Sequence, residues 1–404
     1  MNKRLINILL FLLLTSCNVK ASEKCMVNKW FESGLKSRDI NLDLAVNDED
    51  KNGLLLSQLP SLSLSAGKGI SKAKDSRDLI NVRNYIPQLS ASLNLYSGGR
   101  VLLDFEENAL EHDLLSSRVF SERNIYVYNL LSAVFLLKTI ISNKKEITDQ
   151  IKILKKNEEV YKYLVESGKK PRIELELISS GIEDLMTQYT VLNNNYNKLV
   201  FDTKSKFSIP ENELMNINYS DFNGCVDYQD IQMIQREYKY EKLKKDIHIK
   251  RIESQLLPDV TLSTGASPVH DETKINYHRL DYQVSVALTF NLASVFKLNN
   301  DKQIELMRFR QKELHYEDAV MIFFNKKNEV NTELKNINLQ IDVLYKSIAI
   351  EERKLNYVKE QLDSGRESFL YYMDMLNQML SLKSRVSGLI NQRDYYEVLS
   401  NFYN

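Results

Sequence analysis

The residues that could do chemistry are few. Five histidines, His112, His248, His270, His278 and His315, are scattered through 404 residues, and three cysteines, Cys17, Cys25 and Cys225, complete the soft ligands. None of them falls at a metal-ligand spacing, so no metal site is expected. No glycine-rich phosphate loop and no Gly-x-Ser-x-Gly elbow occurs. Lys+Arg and Asp+Glu both number 54, so no charge excess points to nucleic acid. An enzyme has little to stand on here, and no cofactor is implied.

What must position these residues starts with an export signal. Lys3 and Arg4 precede the apolar run Ile6 to Leu14, too short to span a bilayer as a mature helix. Residues 1–16 read as a signal peptide. Leu14-Thr15-Ser16-Cys17 resembles the lipobox of bacterial lipoproteins, which makes Cys17 the candidate acylated residue. Val19-Lys20-Ala21 also fits ordinary cleavage, in which case Cys17 leaves with the signal. No other apolar run of spanning length is read in the chain, so no transmembrane helix is expected.

Two stretches organise the rest. Gln58-Leu59-Pro60-Ser61-Leu62-Ser63-Leu64-Ser65-Ala66-Gly67 returns as Leu256-Leu257-Pro258-Asp259-Val260-Thr261-Leu262-Ser263-Thr264-Gly265. Both read Leu-Pro, then strict apolar/polar alternation, the mark of a strand with one apolar face. A second strand follows each. Pro60 and Pro258 lie 198 residues apart (258 − 60), and Gly168 and Gly365 lie 197 apart (365 − 168), so the chain is an internal repeat. The first repeat, 17–224, holds a short helix, strands over about 59–70 and 86–97, a long helix over 100–165, a helix over 173–206 and a linker over 207–224. The second, 225–404, holds a short helix, strands over about 257–266 and 281–291, a long helix over 299–362 and a helix over 368–403. No Gly or Pro interrupts Arg100 to Ser167, and 66 helical residues extend roughly 100 Å.

Four strands do not close a membrane barrel, and open edges are not allowed in lipid. Three copies would supply twelve strands. The lipid-facing set is then Leu62, Leu64, Leu89, Leu93, Leu95, Val260, Leu262, Val284, Val286 and Leu288, with Tyr85, Tyr96, Tyr277 and Tyr282 near the strand ends. The competing reading is a soluble sandwich of two hairpins on a coiled coil.

Duplicated Leu-Pro strand starts, long helices and two glycine turns in this order resemble the TolC family of outer-membrane channel proteins. The resemblance covers essentially the whole mature chain. It implies a mainly α fold with a membrane β-barrel: a homotrimer with a 12-stranded barrel in the outer membrane of a Gram-negative bacterium and a periplasmic α-helical tunnel. It implies an exit channel for a tripartite export system, working with a periplasmic adaptor and an inner-membrane transporter, for a pump or type I-like protein secretion. A drug-efflux duct and a pore-less periplasmic scaffold are the alternatives.

By the same resemblance the turns at Gly168-Lys169 and Gly365-Arg366 face the adaptor. The family commonly has Leu after the glycine, so Lys169 and Arg366 point to a dedicated partner. The acidic pore gate falls on Asp374, with Tyr371 at the place of a second Asp, and on Glu174 in the first turn. Both acids also suit the first turn of a helix, where the dipole favours a negative charge. Cys25 and Cys225 stand 200 residues apart (225 − 25), just before the first helix of each repeat. An oxidising periplasm permits a disulfide between them, and two free thiols at homologous places remain the alternative.

Overall fold

The structure is a computed structural model, and it describes residues 25–72, 80–226, 230–271 and 274–403. Cys17 and the signal segment lie outside the described residues. The chain folds as two compact units. The elements in order are α1 (Asn28–Ser33), α2 (Leu35–Leu56), β1 (Ser61–Lys72), β2 (Ile80–Ser97), α3 (Arg100–Glu166), α4 (Arg172–Phe207), α5 (Glu211–Leu214), α6 (Asp230–Ser254), β3 (Asp259–Asp271), β4 (Lys274–Thr289), α7 (Ala293–Asp363) and α8 (Phe369–Ser400).

One unit, Asp39–Val119 with Gln232–Val320, carries the sheet. Its four strands are antiparallel in the order β1-β2-β3-β4, so the two hairpins join through β2 and β3. The register sorts the side chains by chemistry. Leu93 stands opposite Leu262, and Leu262 opposite Val286. One residue along, Ser61, Ser92, Ser263 and Ser285 form a row across all four strands. Successive residues point to opposite faces, so one face is leucine and valine and the other is small hydroxyls. The Ser61 and Ser92 hydroxyls lie 2.6 Å apart, and those of Ser63 and Ser90 lie 2.7 Å apart.

Two expectations about the strands change. All four run further at their hairpin ends than the alternating stretches; β2 starts at Ile80 and β4 at Lys274. The ladder needs a partner strand rather than an apolar face, so pairing carries on where charges break the alternation. A bulge between Asn94 and Tyr96 then shifts the register. Tyr96, not Leu95, stands opposite Val260 on the apolar face, because the extra residue of a bulge leaves the ladder. At the base of the sheet, Gly98 adopts φ +61°, and a Cβ there would stand 2.5 Å from the Ser254 carbonyl. An Arg100–Asp259 ion pair closes the same junction.

The other unit, up to Arg38 with Phe120–Ile231 and Met321–Asn404, is helical. Gly34, extended at ψ 165°, splits the expected first helix into α1 and α2. Helix α7 begins at Ala293, directly after β4 and ahead of the expected residue 299, since Ala293 to Leu298 contains no breaker. The stretch 207–224 is no mere linker: α5 and a 3-10 turn, Tyr219–Phe222, fold onto the core, with Ile209, Leu214, Ile217 and Phe222 buried.

Helix α3 contains an 18-residue window of mean hydropathy 1.6, long and apolar enough to cross a membrane by length and composition. That corrects the expectation of no such helix. The apolar residues have a different destination here. Val127, Leu130, Leu131, Val134 and Leu137 recur at helical spacing and are buried against Trp30, Phe207, Phe222 and Leu399. Roughly 1.5–3 kcal/mol per buried aliphatic side chain makes this the main stabilising cluster. Cys25 and Cys225 sit in it and are joined as a disulfide, Cα to Cα 4.9 Å.

Candidate functional site

The candidate site is the pair of hairpin turns and the first turns of the helices that follow. Both turns are built alike. After α3, the Gly168 amide donates to the Val165 carbonyl (3.0 Å) and the Lys169 amide to the Leu164 carbonyl (2.9 Å). After α7, the Gly365 amide donates to the Leu362 carbonyl (3.0 Å) and the Arg366 amide to the Gln361 carbonyl (2.8 Å). This is the Schellman arrangement, which requires a left-handed residue at its centre. Gly168 has φ +71° and Gly365 φ +75°. Lys169 and Arg366 therefore occupy the same position of two equivalent turns, and both are exposed.

The restarts differ. Pro171, extended, precedes α4 with no side-chain cap. Ser368 caps α8, its Oγ accepting from the Tyr371 amide at 3.2 Å. A shared core holds both hairpins: Tyr161, Ile178 and Ile182 pack with Met373, Leu376 and Met379. Seating Met373 and Leu376 in this core leaves Tyr371, Asp374 and Gln378 on an exposed stripe at helical spacing. Gln378 Nε2 donates to Asp374 Oδ2 at 2.9 Å. Among the described residues no ion pair joins Asp374 to Lys169 or Arg366.

Glu174 lies elsewhere. Its side chain is 15% exposed, with Lys170 Nζ 3.8 Å away, an ion pair at the outer limit and no hydrogen bond. The Tyr161 phenol lies beside the Glu174 carboxylate. Burial first, and then that carboxylate, push the Tyr161 hydroxyl well above its ordinary range. The three gate residues thus separate in the single chain: Asp374 and Tyr371 face outward, and Glu174 braces its own hairpin.

One polar cluster escaped the sequence reading. In the sheet-bearing unit, His248 Nε2 lies 3.0 Å from Glu107 and Nδ1 2.9 Å from Glu305. Arg251 bonds Asp104 and Glu107, each at 2.6 Å. Burial alone would raise the Glu107 carboxyl, but hydrogen bonds from His248 and Arg251 outweigh it and hold the group below its ordinary value. The cluster ties α3, α6 and α7 together. Lys244, His248 and Arg251 at helical spacing were the available signal, but their partners lie more than a hundred residues away or on another helix.

Comparison with solved structures bears on what this arrangement is. CusC, solved as a channel that folds into a transmembrane form, matches with TM-score 0.75 and 13% identity, over 93% of this chain and 90% of that one. VceC, an outer membrane protein of Vibrio cholerae, matches with TM-score 0.71 and 11% identity, over 93% and 94%. The CmeC outer membrane channel of Campylobacter jejuni matches with TM-score 0.70 and 14% identity, over 90% and 82%. This chain has the fold of these outer-membrane channels. No protein-family profile matches the sequence, and no curated protein matches it. The likeness is thus one of backbone course over nine-tenths of the chain, at 11–14% sequence identity.

Proposed function

We propose that this protein is a passive exit channel of the outer membrane, a homotrimer whose three sheets close a 12-stranded barrel above a periplasmic helical tunnel. It is not an enzyme in this reading. A periplasmic adaptor and an inner-membrane transporter deliver its cargo. The observation that carries the reading is the sheet: leucine and valine on one face, serine on the other, and two unpaired edges. Such a sheet suits lipid outside and water inside once its edges are closed. Single-channel recording from detergent-extracted, heat-modifiable trimers tests it. A soluble monomer without conductance after signal removal would favour the scaffold instead.

The equivalent turns suggest how the adaptor is met. Lys169 and Arg366 present two cations per copy at matching positions, which suits an acidic adaptor tip. In this reading Asp374 and Tyr371 line the closed pore, and three Asp374 carboxylates near one axis favour cations. Asp374→Ala is expected to raise resting conductance and weaken block by multivalent cations, with trimers intact. Tyr371→Ala is expected to widen the pore without changing charge selectivity. Planar-bilayer recordings decide both; wild-type conductance, selectivity and block in Asp374→Ala would reduce Asp374 to a helix-start residue.

Cys17 is proposed as the acylated first residue of the mature chain. Cys17→Ser is expected to abolish labelling by a fatty-acid analogue and to alter processing. Unchanged labelling would remove Cys17 from consideration.

A further inference from the structure

The two repeats pair with each other inside one chain, and that internal seam is a template for the seam between chains. Leu62 stands opposite Ala91 in the first hairpin, and Val260 opposite Leu288 in the second. Leu62 and Val260 are equivalent at the 198-residue offset of the strand starts (260 − 62), so Ala91 is equivalent to Leu288, 197 residues on (288 − 91). The turn glycines Gly168 and Gly365 keep the same 197. Two independent features, strand register and turn position, thus agree on the mapping.

At the internal seam Leu93 stands opposite Leu262 and Ala91 opposite Thr264. The mapping carries these pairs to Phe290, one residue past the end of β4, with Leu64, and to Leu288 with Ala66, at the two outer edges of the described sheet. Leu64, Leu288 and Phe290 are 76%, 60% and 53% exposed. The base of the seam maps as well. Gly98, tight against Ser254 and Leu257, is equivalent to Val295, and those two residues to Leu56 and Leu59. All three are bare apolar side chains in the single chain, 58%, 65% and 60% exposed. Unpaired edges and contiguous apolar surface need a partner.

We propose that β4 of one copy pairs antiparallel with β1 of a second copy, Phe290 opposite Leu64 and Leu288 opposite Ala66, with Val295 packed on Leu56 and Leu59 of that copy. This rests on the proposed barrel and specifies its register. The seam between copies also differs chemically from the internal one. Where the internal junction has Gly98 and the Arg100–Asp259 ion pair, the mapped positions hold Val295, Lys297 and Ser61. Close glycine packing gives way to apolar contact, and the ion pair has no counterpart.

Cross-linking in the full-length chain, in outer membranes of the expressing bacterium, tests the register. Ala66→Cys/Leu288→Cys places thiols directly opposite, at roughly 4.5–5.5 Å between Cβ atoms. Ala66→Cys/Val286→Cys places them on the diagonal, roughly 7–8 Å apart. Under mild oxidation the first pair is expected to give covalent dimers and trimers in several-fold higher yield than the second. A higher yield from the second pair, in trimers that still assemble, would overturn the register and leave the barrel standing. Assembled trimers with no cross-link from either pair would overturn the seam. A wild-type chain that forms no trimer at all would overturn the barrel reading itself.

Discussion

Val286→Arg is expected to abolish most assembled protein, whereas Ser285→Arg, one residue away, is tolerated. The two side chains project to opposite faces of β4. Val286 extends the row that runs through Leu262 and Leu93, on the face of leucine and valine. An Arg on a lipid face near the midplane costs about 2–4 kcal/mol, and each assembled trimer would carry three. Ser285 lies in the serine row, on the face proposed to meet water. An Arg there costs little to solvate and is expected to shift ion selectivity instead. Yield of heat-stable trimers after detergent extraction reads the first effect, and reversal potential reads the second. Equal yields for the two variants would remove the assignment of the faces. Leu93→Arg should behave as Val286→Arg, since both belong to one row.

Loss of the Cys25–Cys225 bond is expected to destabilise the helical unit by about 2–5 kcal/mol, the usual range for a native disulfide. The loop it closes spans 200 residues of sequence, and in the chain-entropy picture a loop that long lies near the upper end of this range. Cys225 is fully buried and Cys25 nearly so, in the same cluster as Trp30, Val127 and Phe222. Cys25→Ser/Cys225→Ser also puts two hydroxyls into an apolar setting, so Cys25→Ala/Cys225→Ala is the cleaner comparison. Denaturant midpoints of the wild type with and without reductant, beside the alanine variant, give the magnitude. Wild-type protein whose two thiols alkylate freely without reductant, with an unchanged midpoint on adding it, would show that the bond contributes nothing.

The sequence by itself determined the local elements. Alternation in Ser61 to Ala66 and in Asp259 to Thr264 specifies strands with one apolar face, because side-chain direction depends only on neighbours along the chain. The absence of Gly and Pro from Arg100 to Ser167 specifies an unbroken helix for the same reason. Gly168 and Gly365 marked both turns, since a left-handed residue is needed where a Schellman motif ends a helix. The spacing of these signals also exposed the repeat.

Tertiary structure decided what depends on distant partners. The join of β2 to β3, and the bulge that brings Tyr96 rather than Leu95 opposite Val260, follow from strand pairing across more than a hundred and fifty residues. Periodicity in one strand holds no record of its partner's register. The residues 207–224 read as a linker because the stretch is too short and irregular for a periodic signal, yet its apolar side chains find a core assembled from α1, α3, α4, α7 and α8. Hydropathy alone did not separate a membrane span from the apolar stripe of α3, because both need the same residue types; only the surrounding helices show that Leu130 and Val134 are covered by protein. Glu174 and Asp374 occupy comparable places after their glycines, and sequence spacing made them equals. Packing separates them: Tyr161 lies beside the first carboxylate and draws it into the hairpin, while Met373 and Leu376 seat α8 so that the second faces outward.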